Sequence, residues 1–215
     1  MNNRLEKKFI YNIGDESYKY FLISGMFKET YPKRVVNSIY FDTDIYQDVW
    51  DNINGFGNRK KIRIRWYNEL NNSPVFIEEK KKIGFVTQKK IENLGNFKNF
   101  SDLTLFIKNE YYQKSSLFKN KKINIKKALI LQYERNYFEL YNKKLRVTVD
   151  KKLKIFQKFP NKFIENDKLI IELKYSVKNS SYVNNFVKNN FLDNRNQKYS
   201  KYVNSFIDMN ENALI

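Results

Sequence analysis

Apolar and charged residues alternate along much of this chain. In the segment Lys60 to Tyr67, Lys61, Arg63 and Arg65 share one face and Ile62, Ile64 and Trp66 the other, which is the period of two that marks a β-strand. Val75 to Lys82 follows a turn signal, Asn71-Asn-Ser-Pro74, so the two segments are expected to pair as an antiparallel hairpin. Glu78, Lys80 and Lys82 fall on one face of this second strand. Glu79 and Lys81 charge the other face, so the pattern leaves open which one points inward. The same alternation recurs. Arg4, Glu6 and Lys8 alternate with Leu5, Lys7 and Phe9; Arg146, Thr148 and Asp150 with Leu145, Val147 and Val149; Glu172 and Lys174 with Ile171, Leu173 and Tyr175. Residues 35–42, 84–91 and 128–137 read as further strands, with Tyr133, Arg135 and Tyr137 on one face of the last. The total is about eight strands, enough to close a barrel whose interior holds side chains or one small ligand.

Helical periodicity occupies the gaps. Helices are expected over 15–27 with Asp15 as cap, over 43–54 ending at Gly55, from a Ser101 cap through Tyr112, over 180–190, and over 198–209. No linker, low-complexity tract or internal repeat interrupts the pattern. The expectation is a single domain over residues 1–215, with 203–215 forming the end of the last helix and a tail. Its fold class is α+β: an eight-stranded antiparallel β-barrel with a charged lumen and flanking helices.

Composition sharpens this picture. The 215 residues carry 41 Lys plus Arg against 23 Asp plus Glu, a formal net charge of +18. Such a surplus points to a polyanionic partner. Hydrophobic residues at 41% and aromatics at 17% exclude an intrinsically disordered basic protein, because enough apolar surface is present to offset chain entropy. The chain contains no Cys and no His. That excludes disulfides, thiolate nucleophiles, Cys/His zinc sites and imidazole bases, and leaves carboxylates, Lys, Arg, hydroxyls and a hard metal ion. No signal peptide or transmembrane segment stands out, so a soluble, reducing, cytoplasmic setting is expected. Abundant Lys and Asn with only 6 Gly and 3 Pro match an AT-rich coding bias. Lysine is therefore a weak signal, while the eight arginines, at 4, 34, 59, 63, 65, 135, 146 and 195, are informative.

Most of those arginines lie in strand segments beside ordered carboxylates. If the charged faces line one lumen, about eight cations within ~10 Å would repel strongly at low dielectric unless phosphate oxygens filled the space. Arginine offers phosphate a planar fork and lysine a point charge. Carboxylates among them make sense as ligands of Mg2+ or Mn2+ held together with substrate phosphates. The combination points to phosphoryl transfer or phosphoanhydride cleavage, in which catalysis is mostly positioning and charge neutralisation.

Eight motifs, in order, carry a family resemblance: Arg4-Leu-Glu-Lys-Lys-Phe9, Ser38-Ile-Tyr-Phe-Asp-Thr43, Ile62-Arg-Ile-Arg-Trp-Tyr67, Phe76-Ile-Glu-Glu-Lys-Lys-Lys82, Tyr133-Glu-Arg-Asn-Tyr137, Leu145-Arg-Val-Thr-Val-Asp150, Ile171-Glu-Leu-Lys-Tyr175 and Tyr199-Ser-Lys-Tyr202. Spanning residues 4–202, they resemble the VTC (vacuolar transporter chaperone) polyphosphate polymerase domain, one of the triphosphate tunnel metalloenzymes. The resemblance implies transfer of the γ-phosphate of ATP to growing inorganic polyphosphate, with Mn2+ or Mg2+. It implies that Lys8, Arg63, Arg65, Lys80, Lys82, Arg135, Arg146, Lys174 and Lys201 bind nucleotide and polymer phosphates and that Glu172 holds the metal. Glu6, Glu78 and Asp150 are additional metal candidates, and the Ser38–Thr43 motif is read as mainly structural.

Eukaryotic members often add an inositol-phosphate-sensing domain and membrane spans, and neither is found in these 215 residues. A compact bacterial form is expected, acting in the cytoplasm or at the inner face of the membrane through a separate membrane partner. Two alternatives stay open. One is hydrolysis of inorganic or nucleotide triphosphate in the same tunnel. The other is a non-catalytic module for polyphosphate or RNA, favoured by +18 net charge, 16 Tyr and 18 Phe. Carboxylates among the phosphate contacts speak against nucleic acid as partner.

Overall fold

Nine strands and four helices are found among the residues that the structure, a computed structural model, describes: 4–12, 14, 25–84, 86–109, 125–190 and 198–211. The strands are β1 (Arg4–Asn12), β2 (Phe27–Thr43), β3 (Arg59–Tyr67), β4 (Val75–Ile83), β5 (Val86–Gly95), β6 (Ile125–Leu140), β7 (Arg146–Lys158), β8 (Lys162–Asn166) and β9 (Lys168–Ser176). The helices are α1 (Gln47–Ile53), α2 (Phe100–Asn109), α3 (Ser180–Asn190) and α4 (Lys201–Glu211). None is long and apolar enough to cross a membrane, among the described residues.

The chain divides into two compact units. The first comprises Met1–Val35, Tyr133–Lys154 and Glu165–Ser200. Its strands follow the order β1-β9-β7-β6-β2. β1 and β7 both pair antiparallel with β9, with Lys8 opposite Glu172 and Thr148 opposite Glu172. Phe9, Leu145, Val147, Ile171, Leu173 and Val183 of α3 form its buried core. The second comprises Val36–Gln132, Ile155–Ile164 and Lys201–Ile215, and its order is β6-β2-β3-β4-β5, with β8 on β7. Here Ile39, Ile62, Ile64, Trp66, Ile77 and Leu103 of α2 are buried together. The two cores use the apolar parity that the alternation marks, so the charged parity lies on the opposite face of the same strands.

The expected eight-stranded closed barrel is corrected in two respects. Among the described residues there are nine strands, and their hydrogen-bonded order runs from β1 to β5 without a pairing that closes it. β5 is an edge whose residues Thr87 to Ile91 are all exposed and include Lys89 and Lys90, and charge along an exposed edge opposes further pairing. The short β8 escaped the sequence pattern. β2 and β6 extend beyond the expected 35–42 and 128–137.

The helix expected over 15–27 falls mainly outside the described residues, and Phe27 opens β2. α1 ends as anticipated, with Gly55 at φ 77°, a conformation that glycine adopts without strain. α2 begins one residue before Ser101. Its cap is Asn99, whose Oδ1 accepts the N–H of Asp102 at 2.9 Å. Asp42, wholly buried at the end of β2, fixes the start of α1: its carboxylate accepts the N–H groups of Thr43, Asp48 and Val49 and the hydroxyl of Tyr202 on α4.

Candidate functional site

The second unit concentrates cations on one face. Register places Arg63 opposite Glu78, Lys61 opposite Lys80, Arg59 opposite Lys82, and Lys80 opposite Lys89. On β3, β4 and β5 this face therefore carries Arg59, Lys61, Arg63, Arg65, Lys80, Lys82 and Lys89, and a single carboxylate, Glu78. Like charges directly opposite one another destabilise a sheet. A sequence that keeps three such pairs in adjacent rows is using them for something other than stability.

Glu78 is the hub of this face. Its Oε2 accepts Arg63 Nε at 2.7 Å and lies 2.6 Å from Arg63 Nη2, Arg65 Nη1 is 3.6 Å from the same oxygen, and Lys89 Nζ donates to Oε1 at 2.7 Å. Burial works against its charge. Arg63, Arg65 and Lys89 outweigh that burial and hold the carboxyl well below the usual carboxylate range. Lys89 is pulled the other way: burial, with repulsion from both arginines, lowers its ammonium despite Glu78. The open question about β4 is settled by this geometry. Glu78 joins the arginine face, while Glu79, also buried, shares the parity of Ile77 and pairs in register with Ile62 on the core side.

β2 buttresses the two arginines. Arg65 Nε donates to Ser38 Oγ at 3.2 Å, and Arg63 Nη1 donates to the Tyr40 hydroxyl at 3.0 Å. The Tyr40 ring stacks on Tyr202 with centroids 4.7 Å apart. Burial pushes the Tyr40 phenol up, yet Arg63, Arg65 and then Lys201 together hold it below the ordinary tyrosine range. Lys201, the first residue of α4, thus acts electrostatically on this cluster. The Ser38–Thr43 motif therefore does two jobs, with Asp42 organising helices and Ser38 and Tyr40 orienting arginines.

The first unit is built differently. Its charged face alternates sign in register: Glu6, Lys174 and Arg146 form one row, and Lys8, Glu172 and Thr148 the next. Arg135 on β6 binds Asp150 through two bonds, Nε to Oδ1 at 2.5 Å and Nη2 to Oδ2 at 2.7 Å. Burial opposes the guanidinium's charge, but Asp150 dominates and secures it. Glu172 lies 3.9 Å from Arg135 Nη2 and 3.5 Å from Lys174 Nζ. Lys8 Nζ donates to the Tyr199 carbonyl at 2.8 Å. Arg146, with its side chain 60% exposed, pairs with Glu139 at 3.2 Å. The Thr148 hydroxyl is buried and has no hydrogen-bond partner among the described residues.

Thus Arg63, Arg65, Glu78, Lys80, Lys82 and Lys201 gather in the second unit, and Glu6, Lys8, Arg135, Arg146, Asp150, Glu172 and Lys174 in the first. Sequence reasoning overlooked Lys89, Tyr40, Ser38 and Glu139. Lys89 has the parity of Thr87 and Ile91 on β5, but in a lysine-rich chain nothing singled it out. Among the described residues no group of three or more carboxylates stands ready to hold a metal. A hard divalent cation fits Glu172 best. Asp150 has both oxygens bound by Arg135 and Glu78 bears three cations, whereas Glu172 is buried with the unpartnered Thr148 hydroxyl, a neutral oxygen, on the residue opposite it.

The family model described as the VTC domain matches residues 6–209. Among curated protein sequences none matches. Solved structures share the fold. A candidate adenylate cyclase from Bacillus halodurans aligns with TM-score 0.56 at 13% identity, covering 93% of this chain and 97% of that one. A candidate adenylyl cyclase from Hippeastrum, whose structure is described as revealing a dominant triphosphatase activity, aligns with TM-score 0.55 at 12% identity over 93% of each chain. A third, from Vibrio parahaemolyticus and also described as a candidate adenylate cyclase, aligns with TM-score 0.52 at 8% identity, covering 95% of this chain and 98% of that one.

Proposed function

The chain belongs to the VTC domain family, and from that premise we propose that it is a metal-dependent phosphotransferase that moves the γ-phosphate of ATP onto a growing inorganic polyphosphate chain. The observation that carries this reading is the cation-rich face of the second unit, where Arg63, Arg65 and Lys89 converge on one buried carboxylate. Neutralising such a face calls for a ligand with closely spaced negative charges, and a phosphoanhydride chain supplies them. Arg63 and Arg65, oriented by Tyr40 and Ser38, present forks to phosphoryl oxygens. Lys80, Lys82, Lys89 and Lys201 add charge along the same face.

In the first unit Arg135, Lys8 and Lys174 are the phosphate-directed cations, with Arg146 at the exposed margin. Glu172 would hold Mn2+ or Mg2+ together with phosphate oxygens, and the cation would supply charge neutralisation at the transferring phosphoryl group. A second reading, hydrolysis of a triphosphate on the same face, is favoured by the activity in the description of the Hippeastrum structure. The two differ in whether phosphate or water accepts the phosphoryl group. Purified protein incubated with ATP and Mn2+ or Mg2+ is expected to give long polyphosphate on a gel. Release of free phosphate without polymer would select the hydrolase, and neither product would refute both.

A further inference from the structure

We propose that the hydroxyl of Thr148 is a direct ligand of the divalent cation that Glu172 holds, so that adjacent strands give the site one carboxylate and one neutral oxygen. The proposal rests on the metal-dependent reading above and adds a residue to it.

Two independent observations carry it. Thr148 lies directly opposite Glu172 in the antiparallel register of β7 and β9, and Cβ atoms of such a pair stand about 5 Å apart. Its Oγ1 is also buried without a hydrogen-bond partner, in a residue only 7% exposed. A buried hydroxyl left unsatisfied is costly, and natural proteins keep few of them. The other groups of this face already have partners: Asp150 holds Arg135, and Arg146 holds Glu139.

The chemistry of the pair selects a cation. A hard cation is attracted by a carboxylate and accepts a neutral oxygen as ligand, and phosphates drawn by Lys8, Arg135 and Lys174 would supply further oxygens. Ser176 shows the contrast. Its hydroxyl is likewise without a partner, but register sets it opposite Arg4, so no carboxylate stands directly opposite it. Mg2+ and Mn2+ favour few protein oxygens, with the remainder from water and phosphates, which is what a Glu172–Thr148 pair offers.

The test is Mn2+ titration of the metal-free protein, followed by the electron paramagnetic resonance signal of free Mn2+, with and without inorganic tripolyphosphate. Thr148→Val keeps the shape and removes the hydroxyl. Mn2+ affinity is expected to fall by about tenfold or more, and Thr148→Ser is expected to restore it. The metal-free Thr148→Val protein should melt no lower than the parent, because it loses an unsatisfied group, while Mn2+ should raise the parent's melting temperature more than the variant's. If Thr148→Val does not fold, Thr148→Ala is read by the same titration. Equal Mn2+ affinity in parent and variant overturns the proposal, as does a lower melting temperature in the metal-free variant with unchanged Mn2+ uptake. A parent that takes up no Mn2+ also overturns it. Polymer formation from ATP is read separately by gel, so failure of the phosphotransferase reading shows as absent polymer while the Mn2+ titration still reports on Thr148.

Discussion

The two units arrange the charged faces of their strands in opposite ways. On β3, β4 and β5 of the second unit, seven cationic side chains share a face with Glu78 alone. On β1, β9, β7 and β6 of the first, Glu6, Glu172, Asp150 and Glu139 stand among Lys174, Lys8, Arg135 and Arg146. Buried charge is tolerated when it is paired. The first unit sets carboxylates and cations opposite one another along its strands, and the second sets cations opposite cations in three pairs of the Glu78 face. The difference suggests a division of labour, in which one face receives the phosphate chain and the other positions a carboxylate for a cation.

The most direct way to break this comparison is Arg65→Ala. Arg65 is nearly fully buried, bonded to Ser38 and close to Glu78. Removing a preorganised donor aimed at developing charge costs roughly 100-fold or more in turnover, so kcat for ATP should fall by at least about that factor while the fold persists. Retained activity would mean that the cationic face is not the reacting one. In the first unit the matching change is Asp150→Asn, and its effect should be on stability. It leaves Arg135 buried without its opposing charge, which costs about 3–5 kcal/mol, measurable by urea unfolding.

How much of this was legible in the sequence follows from the same contrast. Alternation gave the strand faces, because charge and apolarity separate cleanly at Lys61 to Trp66 and at Leu145 to Asp150. It could not choose between Glu78 and Glu79. Glu78 and Glu79 are both buried, and only the register with Arg63 decides. Lys89 was hidden by the abundance of lysine. Tyr40 and Ser38 were hidden because a tyrosine or serine in a strand has no parity signature that tells packing from orientation of an arginine. Closure of the sheet was not legible either, since strand counts do not say what happens at an edge. Arg135 and Asp150 were each singled out, but their pairing depends on a β6–β7 contact that no local pattern encodes.

Glu78→Gln sharpens the comparison at a smaller scale. The loss should be about 2 kcal/mol, less than for Asp150→Asn, because the Arg63 and Lys89 side chains are 23% and 41% exposed and reach water when their partner is removed. pH gives an independent readout. The carboxyl of Glu78 is held below its unfolded value, so its contribution is fully present above about pH 4.3 and is lost as pH falls through the folded value. The variant should therefore lose less stability on acidification than the parent. Tripolyphosphate should raise its melting temperature more than the parent's, since an added anion takes the place of the missing charge.

The smallest effect is expected at Arg146, and it tests where the charged face of the first unit ends. The residue is one of only eight arginines and sits at the parity of Thr148 and Asp150, which is why a phosphate role suggests itself. The structure gives it a side chain 60% exposed and an ion pair with Glu139, a geometry worth under about 1 kcal/mol. Arg146→Ala should thus leave stability nearly unchanged. Its position opposite Lys174 still lets it steer an approaching polyanion, so tripolyphosphate affinity should drop a few-fold at low salt. That drop should shrink by physiological ionic strength, where the Debye length is about 8 Å. A loss that persisted in salt would place Arg146 in direct contact with phosphate and move the boundary of the binding face outward.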